Sequence, residues 1–341
     1  MVERRKLTRA VGGDYFPEAG TPSRFIPSGC ALLDCVLGGG WALGRVSNVV
    51  GDKSVGKTLL AIEACANFAR RYPKGKIWYR ESEAAFDEKY AVQLGLPVDR
   101  VDFGPEGIGT EWETVEDVID DLGQKVEKAR GKREPGLYIV DTLDALSDRA
   151  EQARDVGEGS YGMAKAKLMS ALFRRCVRPV KRTNVHLMFI SQIRDKIGVT
   201  FGEKKTRTGG HALDFYASQI LWLSHLKTLT REIRGMKLST AIRVLAKCKK
   251  NKISVPNRQC EFTVRFGYGV EDIEASVDWL AHAKLLDRIG LSPAELPDYK
   301  SDLADLSQVE YLERADTIRN VILGSWEEVE ADIRPKRQKY A

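Results

Sequence analysis

The stretch Gly51-Asp52-Lys53-Ser54-Val55-Gly56-Lys57-Thr58 constrains this chain more than any other. It comes after Val46 to Val50, a β-branched run that reads as a strand. It precedes a segment in which Leu59, Ile62, Ala66 and Ala69 fall on one helical face. The stretch matches G-x-x-x-x-G-K-[ST] in full and in the strand–turn–helix context that the pattern requires. Its glycines let the backbone curl so that successive N–H groups point at phosphate oxygens, and the helix adds its positive end. In such a loop Lys57 reaches the outer phosphates and the Thr58 hydroxyl ligates Mg²⁺. The motif speaks for phosphate binding and says nothing of what the nucleotide's energy is used for.

Further short apolar runs occur at Ile77–Tyr79, Leu137–Val140, Val185–Ile190 and Ile220–Leu223. Uniformly apolar strands fit a mainly parallel sheet covered by helices on both faces, an α/β fold. Phe262, Val264 and Phe266 alternate with polar residues, as a half-exposed strand would. Past about Tyr268 the chain turns acidic and helical, at Ala275–Ile289 and Tyr311–Ile333. Residues 1–27 carry Pro17, Pro22 and Pro27 and read as an extended arm. The expected division is therefore an arm at 1–27, a nucleotide core at 28–268 and a small C-terminal α/β domain at 269–341. A length of 341 residues is compatible with two domains, or one large domain with an appendage.

Composition narrows the class but not the partner. The 54 basic and 48 acidic residues leave +6, which permits a polyanionic partner without demanding one. No apolar run approaches the ~18 residues of a membrane span, and no apolar segment succeeds the basic N-terminus as in a signal peptide. Six scattered cysteines and four dispersed histidines suggest inert thiols in a reducing cytoplasm and no zinc site.

Three strand ends add candidates. Leu137–Val140 delivers Asp141, which can hold the magnesium shell together with Thr58. Ile77–Tyr79 leads through Arg80 to Glu81 and Glu83. Either carboxylate can polarise a water for attack on the γ-phosphate, and spacing does not choose between them. Val185–Ile190 ends in Ser191-Gln192, an amide able to donate to a phosphate oxygen and pull on the residues beyond it. The segment beyond it, Ile193 to Gly210, is glycine-punctuated and basic. Arg194, Lys196, Lys204, Lys205 and Arg207 can neutralise phosphates, and Ile197, Val199 and Phe201 can press against bases. The same composition also suits a surface loop with solvated charges. Arg174, Arg175, Arg178, Lys181 and Arg182 read as a solvated helix face.

The run Phe189 to Arg194, then Lys196-Ile197-Gly198-Val199, Phe201-Gly202, Thr208-Gly209-Gly210, Ala212-Leu213 and Phe215-Tyr216-Ala217-Ser218 resembles the second DNA-binding loop of the bacterial RecA family. Ser28-Gly29, Leu32-Leu33-Asp34 and Leu37-Gly38-Gly39-Gly40 resemble that family's entry into its core, and Lys250-Asn251-Lys252-Ile253 with Pro256 its paired-lysine segment. Ring helicases and regulatory ATPases of the same core lack this loop sequence.

The resemblance implies a RecA-like P-loop ATPase core and an ATP- and Mg²⁺-dependent recombinase that forms a filament on single-stranded DNA and pairs it with homologous duplex. By position it makes Glu83 the catalytic glutamate, Asp87 and Tyr90 adenine contacts, and Thr142 a neighbour of the Asp141 site. Gln192 becomes the γ-phosphate sensor, and Lys250, Lys252 and Phe215 reach the nucleotide of the next protomer. Gly157, Tyr161 and Gly162 match the first DNA-binding loop, with Lys165 and Lys167 as approximate counterparts of a DNA-contacting basic residue. Gly198, Gly209 and Gly210 belong to the second loop. Loading or mediator proteins and a bacterial or phage-infected cytoplasm are implied as the setting, with no membrane partner. Three departures stand out: Asp214 where the family carries lysine, a short proline-broken arm, and a basic end at Arg334–Lys339. A RecA-fold DNA motor and an ATP-gated single-strand binding module remain open alternatives.

Overall fold

Every apolar run expected to be a strand enters one sheet. The computed structural model describes residues 24–110, 112–152, 162–195, 205–207, 210–303, 305–333, 335 and 337; the expected arm up to residue 23 lies outside them. The described chain begins with β1 (Phe25–Ile26), α1 (Ala31–Leu37) and β2 (Trp41–Ala42), and β1 pairs with β2. The phosphate-loop unit is β3 (Val46–Gly51) and α2 (Lys57–Arg71). Next come β4 (Lys76–Glu81), α3 (Glu88–Gln93), β5 (Val101–Asp102), α4 (Val115–Ala129), β6 (Gly136–Asp141) and α5 (Arg149–Gln152). They lead into α6 (Gly162–Val180), β7 (Val185–Asp195), β8 (Lys205–Arg207) and α7 (Gly210–Tyr216). The remaining strands are β9 (Gln219–Ile233), β10 (Met236–Asn251), β11 (Arg258–Arg265) and β12 (Gly269–Val270).

The sheet runs β12-β11-β10-β9-β3-β7-β6-β4-β5, with β8 paired to β7. From β9 to β5 every neighbouring pair on that path is parallel. Alternate side chains of these strands enter two separate apolar clusters, as the period of two in a strand requires. Val49, Tyr79, Ile139 and Ile190 lie with α1 and α2 on one side. Val50, Tyr138, Val140 and Phe189 lie with α4, α6 and α7 on the other. The uniformly apolar runs are thus explained by burial on both faces.

Local signals set the helix ends. α2 starts behind Gly56, whose φ of +90° is a left-handed conformation that suits glycine. α4 starts at Thr114, whose side chain accepts from the Asp117 amide, and buries Val115, Val118, Leu122 and Val126. All six cysteines are buried. Burial pushes the Cys35, Cys176 and Cys248 thiols up to about 12, which keeps them protonated and inert.

Several expectations change. The β9–β10 hairpin extends far past Leu223 and turns at Arg234-Gly235, both with positive φ, as a two-residue hairpin turn demands. Only its inner end is buried. In β11, Phe262 and Val264 are both in the core, whereas Phe266 lies past the strand end and is 53% exposed. After β12 the described chain is helical only, with α8 (Asp272–His282), α9 (Leu296–Asp302) and α10 (Gln308–Ile333). The helix expected at 275–289 ends at His282, just before Lys284 takes a positive φ. Arg319 of α10 donates at 2.5 Å to buried Asp34 of α1, and Asp272 of α8 accepts from the Ala31 amide at 2.6 Å. These contacts bind the C-terminal helices to the entry of the core.

A buried carboxyl lies at the same seam. Glu63 of α2 accepts from the Val270 amide through Oε1 at 2.9 Å, while Oε2 is buried with no hydrogen-bond partner among the described residues. Burial pushes its pKa up to about 8, and nearby Asp272 adds to the rise. A carboxyl raised in the folded state binds its proton more tightly than the unfolded chain does. Its contribution to stability is complete below about pH 4.5 and is lost as pH rises to about 8, at roughly 1.4 kcal/mol per unit. Glu63→Gln should therefore gain stability over the native chain progressively between pH 5 and pH 8 in urea unfolding. Parallel pH curves for the two would show that Glu63 ionises normally.

Candidate active site

The parallel registers bring the candidate residues to one edge of the sheet. Gly51 at the end of β3 pairs with Gln192 of β7, and Glu81 at the end of β4 pairs with Asp141 at the end of β6. Ligands of open α/β sheets settle outside the carboxyl ends of the strands, and here those ends carry an amide and acids.

The loop Gly51–Gly56 curls over this edge. A Cβ on Gly51 would stand 2.6 Å from the Val55 side chain, so the turn closes only around glycine. Lys57 is 7% exposed and its Nζ donates to the Asp52 carbonyl at 2.6 Å. Burial lowers its pKa, against the pull of Asp141, Glu83, Asp144 and Asp52, which face it. Four acids around one lysine leave the pocket with negative charge to neutralise, the task a divalent cation performs beside phosphates. Lys53 and Ser54 complete the loop, Ser54 with a φ of 56°.

Asp141 is almost fully buried. The Tyr79 hydroxyl donates to its Oδ2 at 2.7 Å, and the Thr58 hydroxyl stands close enough to the same carboxylate to lower its pKa. Burial dominates and raises the Asp141 pKa to about 6, with Glu83 and Glu81 pushing the same way and the two hydroxyls opposing. One hydroxyl and one carboxylate this close fit Mg²⁺, which binds few protein groups and takes the rest of its shell from phosphates and water. When bound there it would supply charge neutralisation between the outer phosphates.

The two glutamates separate by what they touch. Glu81 Oε1 accepts from the Glu83 and Ala85 amides, at 2.8 and 3.3 Å, and so caps its own turn. Glu83 Oε1 instead accepts from the Thr142 hydroxyl and from Gln192 Nε2, both at 2.9 Å. Ser82 ties the two strand ends, donating to the Thr142 carbonyl at 2.8 Å and accepting from the Thr142 amide. The Gln192 backbone N–H donates to Asp144 Oδ2 at 2.6 Å. Tyr79, Ser82 and Asp144 escape sequence reading: Tyr79 sits inside an apolar run, and only the β4–β6 register reveals its partner.

Asp87 caps α3 by accepting from the Tyr90 amide at 3.0 Å, and the partly buried Tyr90 packs on the core. Lys250 Nζ donates to the carbonyls of Asp214 and Phe215, and Lys252 Nζ to that of Phe215 at 3.2 Å. Phe215 is 70% exposed, so two lysines and an open ring share one face at the end of α7. Of the DNA-binding candidates, Gly157, Tyr161, Lys196, Ile197, Gly198, Val199, Phe201, Lys204 and Gly209 lie outside the described residues. Gly162 opens α6, Lys165 lies within it, and Lys167 is exposed on it. Arg194, Lys205 and Arg207, read from sequence as loop, are in strands: Arg194 pairs with Thr206, and Ile193 with Arg207. The basic segment is thereby tied at its base directly beyond Gln192. Gly210 opens α7. Arg174, Arg175, Arg178, Lys181 and Arg182 are all exposed or half-buried at the protein surface, as a solvated face would be.

A sequence profile of the RecA N-terminal domain matches residues 19–271. The chain belongs to the RecA family. It is 33% identical over 289 residues to protein RecA of Gloeothece citriformis, covering 84% of this chain and 77% of that one. It is 34% identical to protein RecA of Prochlorococcus marinus strain MIT 9211, with 84% and 74% covered, and 32% identical to that of Nostoc punctiforme, with 84% and 76%. The RecA core explains why phosphate loop, acid cluster and Gln192 share one edge. Lys57→Ala should weaken ATP binding by about tenfold or more, read by fluorescent-nucleotide titration. Unchanged affinity would remove the loop from the site.

Proposed function

We propose that this chain is an ATP-dependent DNA recombinase. It assembles as a filament on single-stranded DNA and catalyses homologous pairing and strand exchange in recombination and repair. The observation that carries the reading is the contact of Gln192 with Glu83 at 2.9 Å, on the strand that runs straight into the basic segment after Asp195.

ATP and Mg²⁺ bind over the phosphate loop, with Lys57 and Thr58 at the outer phosphates and Asp87 and Tyr90 on the adenine side. Glu83 orients the attacking water. Gln192 shares its amide between Glu83 and the γ-phosphate, so its position differs between the two nucleotide states. Because β7 continues to Asp195, that difference reaches the DNA segment through a single strand. Hydrolysis loosens the DNA grip, and the free energy of pairing drives exchange. Lys250, Lys252 and Phe215 offer their shared exposed face to the nucleotide of the neighbouring protomer, which makes the ATP site complete only in a filament. Grip on DNA is mostly electrostatic and sequence-tolerant, because base pairing with the incoming duplex reads the sequence.

Two experiments test this. With ATP and single-stranded DNA, homologous duplex should be invaded and heterologous duplex ignored. Binding of single strands without uptake of homologous duplex would leave an ATP-gated binding module, and processive unwinding of tailed duplex a motor. Separately, Glu83→Gln should bind ATP normally, hydrolyse it about a hundredfold more slowly and hold DNA longer. If Glu81→Gln gives that phenotype and Glu83→Gln does not, the roles of the two glutamates are exchanged.

A further inference from the structure

Arg80 is a charged residue in an apolar strand, 1% exposed, one position before the turn that presents Glu83. Its Nε donates to Asp121 Oδ2 at 2.7 Å, and its Nη1 to the Asp102 carbonyl and carboxylate at 2.5 and 3.2 Å. Its Nη2 is buried with no hydrogen-bond partner among the described residues. The guanidinium carbon lies 4.7 Å from the centre of the Trp112 ring and 5.4 Å from that of Tyr138. The Tyr138 hydroxyl donates to the same Asp121 oxygen at 2.8 Å. Apolar residues in place of Arg80, Asp102 and Asp121 together would avoid desolvating these charges, so the cluster as a whole is weak evidence of a purely stabilising role.

The arginine's contacts point to a role. The Trp112 amide donates to the Glu81 carbonyl at 3.3 Å and its indole to the Phe103 carbonyl at 2.8 Å. The ring is therefore pinned between the β4 end and β5. The segment before it carries Gly104, Gly107 and Gly109 with positive φ, a backbone with few side chains to hold it elsewhere. Directly after it, the Glu113 carbonyl accepts from the Ser147 amide at 2.7 Å, and the Glu113 carboxylate from Gln152 Nε2 at 2.6 Å. Gln152 ends α5, immediately before the stretch that contains Gly157 and Tyr161.

We propose that Arg80 and Trp112 form a strut that positions Glu83 and couples it to the first DNA-binding loop, a second route beside that through Gln192. The proposal rests on the recombinase reading, since it assigns a DNA signal to that loop. Arg80 is a positioning residue: it acts through the Glu81–Glu83 turn and touches no substrate. A guanidinium tied to Asp102 and Asp121 and set against the Trp112 ring links that ring to the β4 end, so displacement of Trp112 by the α5 end shifts the β4 end with it.

The test is steady-state ATP turnover of the full chain with and without poly-dT. Trp112→Leu should keep the KM for ATP within about twofold while its stimulation by DNA falls about tenfold. Trp112→Phe, which retains a flat face for the guanidinium, should recover most of that stimulation. Arg80→Lys, which keeps the charge and loses the planar guanidinium, should match Trp112→Leu, and the double variant should be no worse than either. Full stimulation in Trp112→Leu, additive losses in the double variant, or equal losses in the Phe and Leu variants would each overturn the strut. Should Trp112→Leu not fold, Arg80→Lys decides alone, and undiminished stimulation overturns the proposal. A native chain that DNA does not stimulate fails the recombinase reading and the strut together, whereas variants as responsive as a stimulated native chain fail the strut only.

Discussion

Parallel strand register is the constraint on which the rest of this molecule depends. A sheet whose central strands all point one way delivers every carboxyl end to the same edge. The amide and acid groups at and beyond Gly51, Glu81, Asp141 and Gln192 meet there without any loop having to reach for them. The contacts within the site are correspondingly short-range. Tyr79 meets Asp141 across adjacent strands, Ser82 meets Thr142 across adjacent strand ends, and Gln192 meets Glu83 across the width of β6. A slip of one residue between β4 and β6 would turn their side chains to the opposite face and dissolve all three.

The edge also gathers groups whose burial works against their charge. Asp141 is buried enough to hold its proton up to about pH 6, and Lys57 is buried enough to be drawn downward. Asp141 accepts from Tyr79 and Lys57 donates to the Asp52 carbonyl, yet several acids face the one lysine. Such a pocket is made for a charged guest, since phosphates and a divalent cation would neutralise both signs at once.

Much of this was legible in the residues. The phosphate loop, the apolar strands and the acids at their ends could be read directly, because a strand buried on both faces leaves a run that nothing interrupts. The second half of the fold was less legible for equally physical reasons. The outer β9–β10 hairpin is exposed and polar, so burial left no pattern on Lys227 to Lys237 beyond the turn at Arg234-Gly235. The β7–β8 pairing at Ile193–Asp195 is created by tertiary contact and carries no period of its own. Glu81 and Glu83 differ only in which partners the folded turn presents, which spacing cannot encode. Arg80 reads as an ordinary strand-end charge until its aromatic neighbours are brought beside it.

The division of the apolar interior into two clusters separates the chain's tasks by a wall. The helix after the phosphate loop is anchored on one side together with α1, and the helices after the two proposed DNA-binding stretches, α6 and α7, are anchored on the other. Side chains on opposite sides of the sheet pack in separate compartments, joined through the strands they share. In the proposed function the path between nucleotide and DNA runs at the rim of the wall, as β7 does where it continues beyond Gln192. That arrangement lets each compartment diverge in sequence, provided the strands they share and the few residues on the rim keep their places.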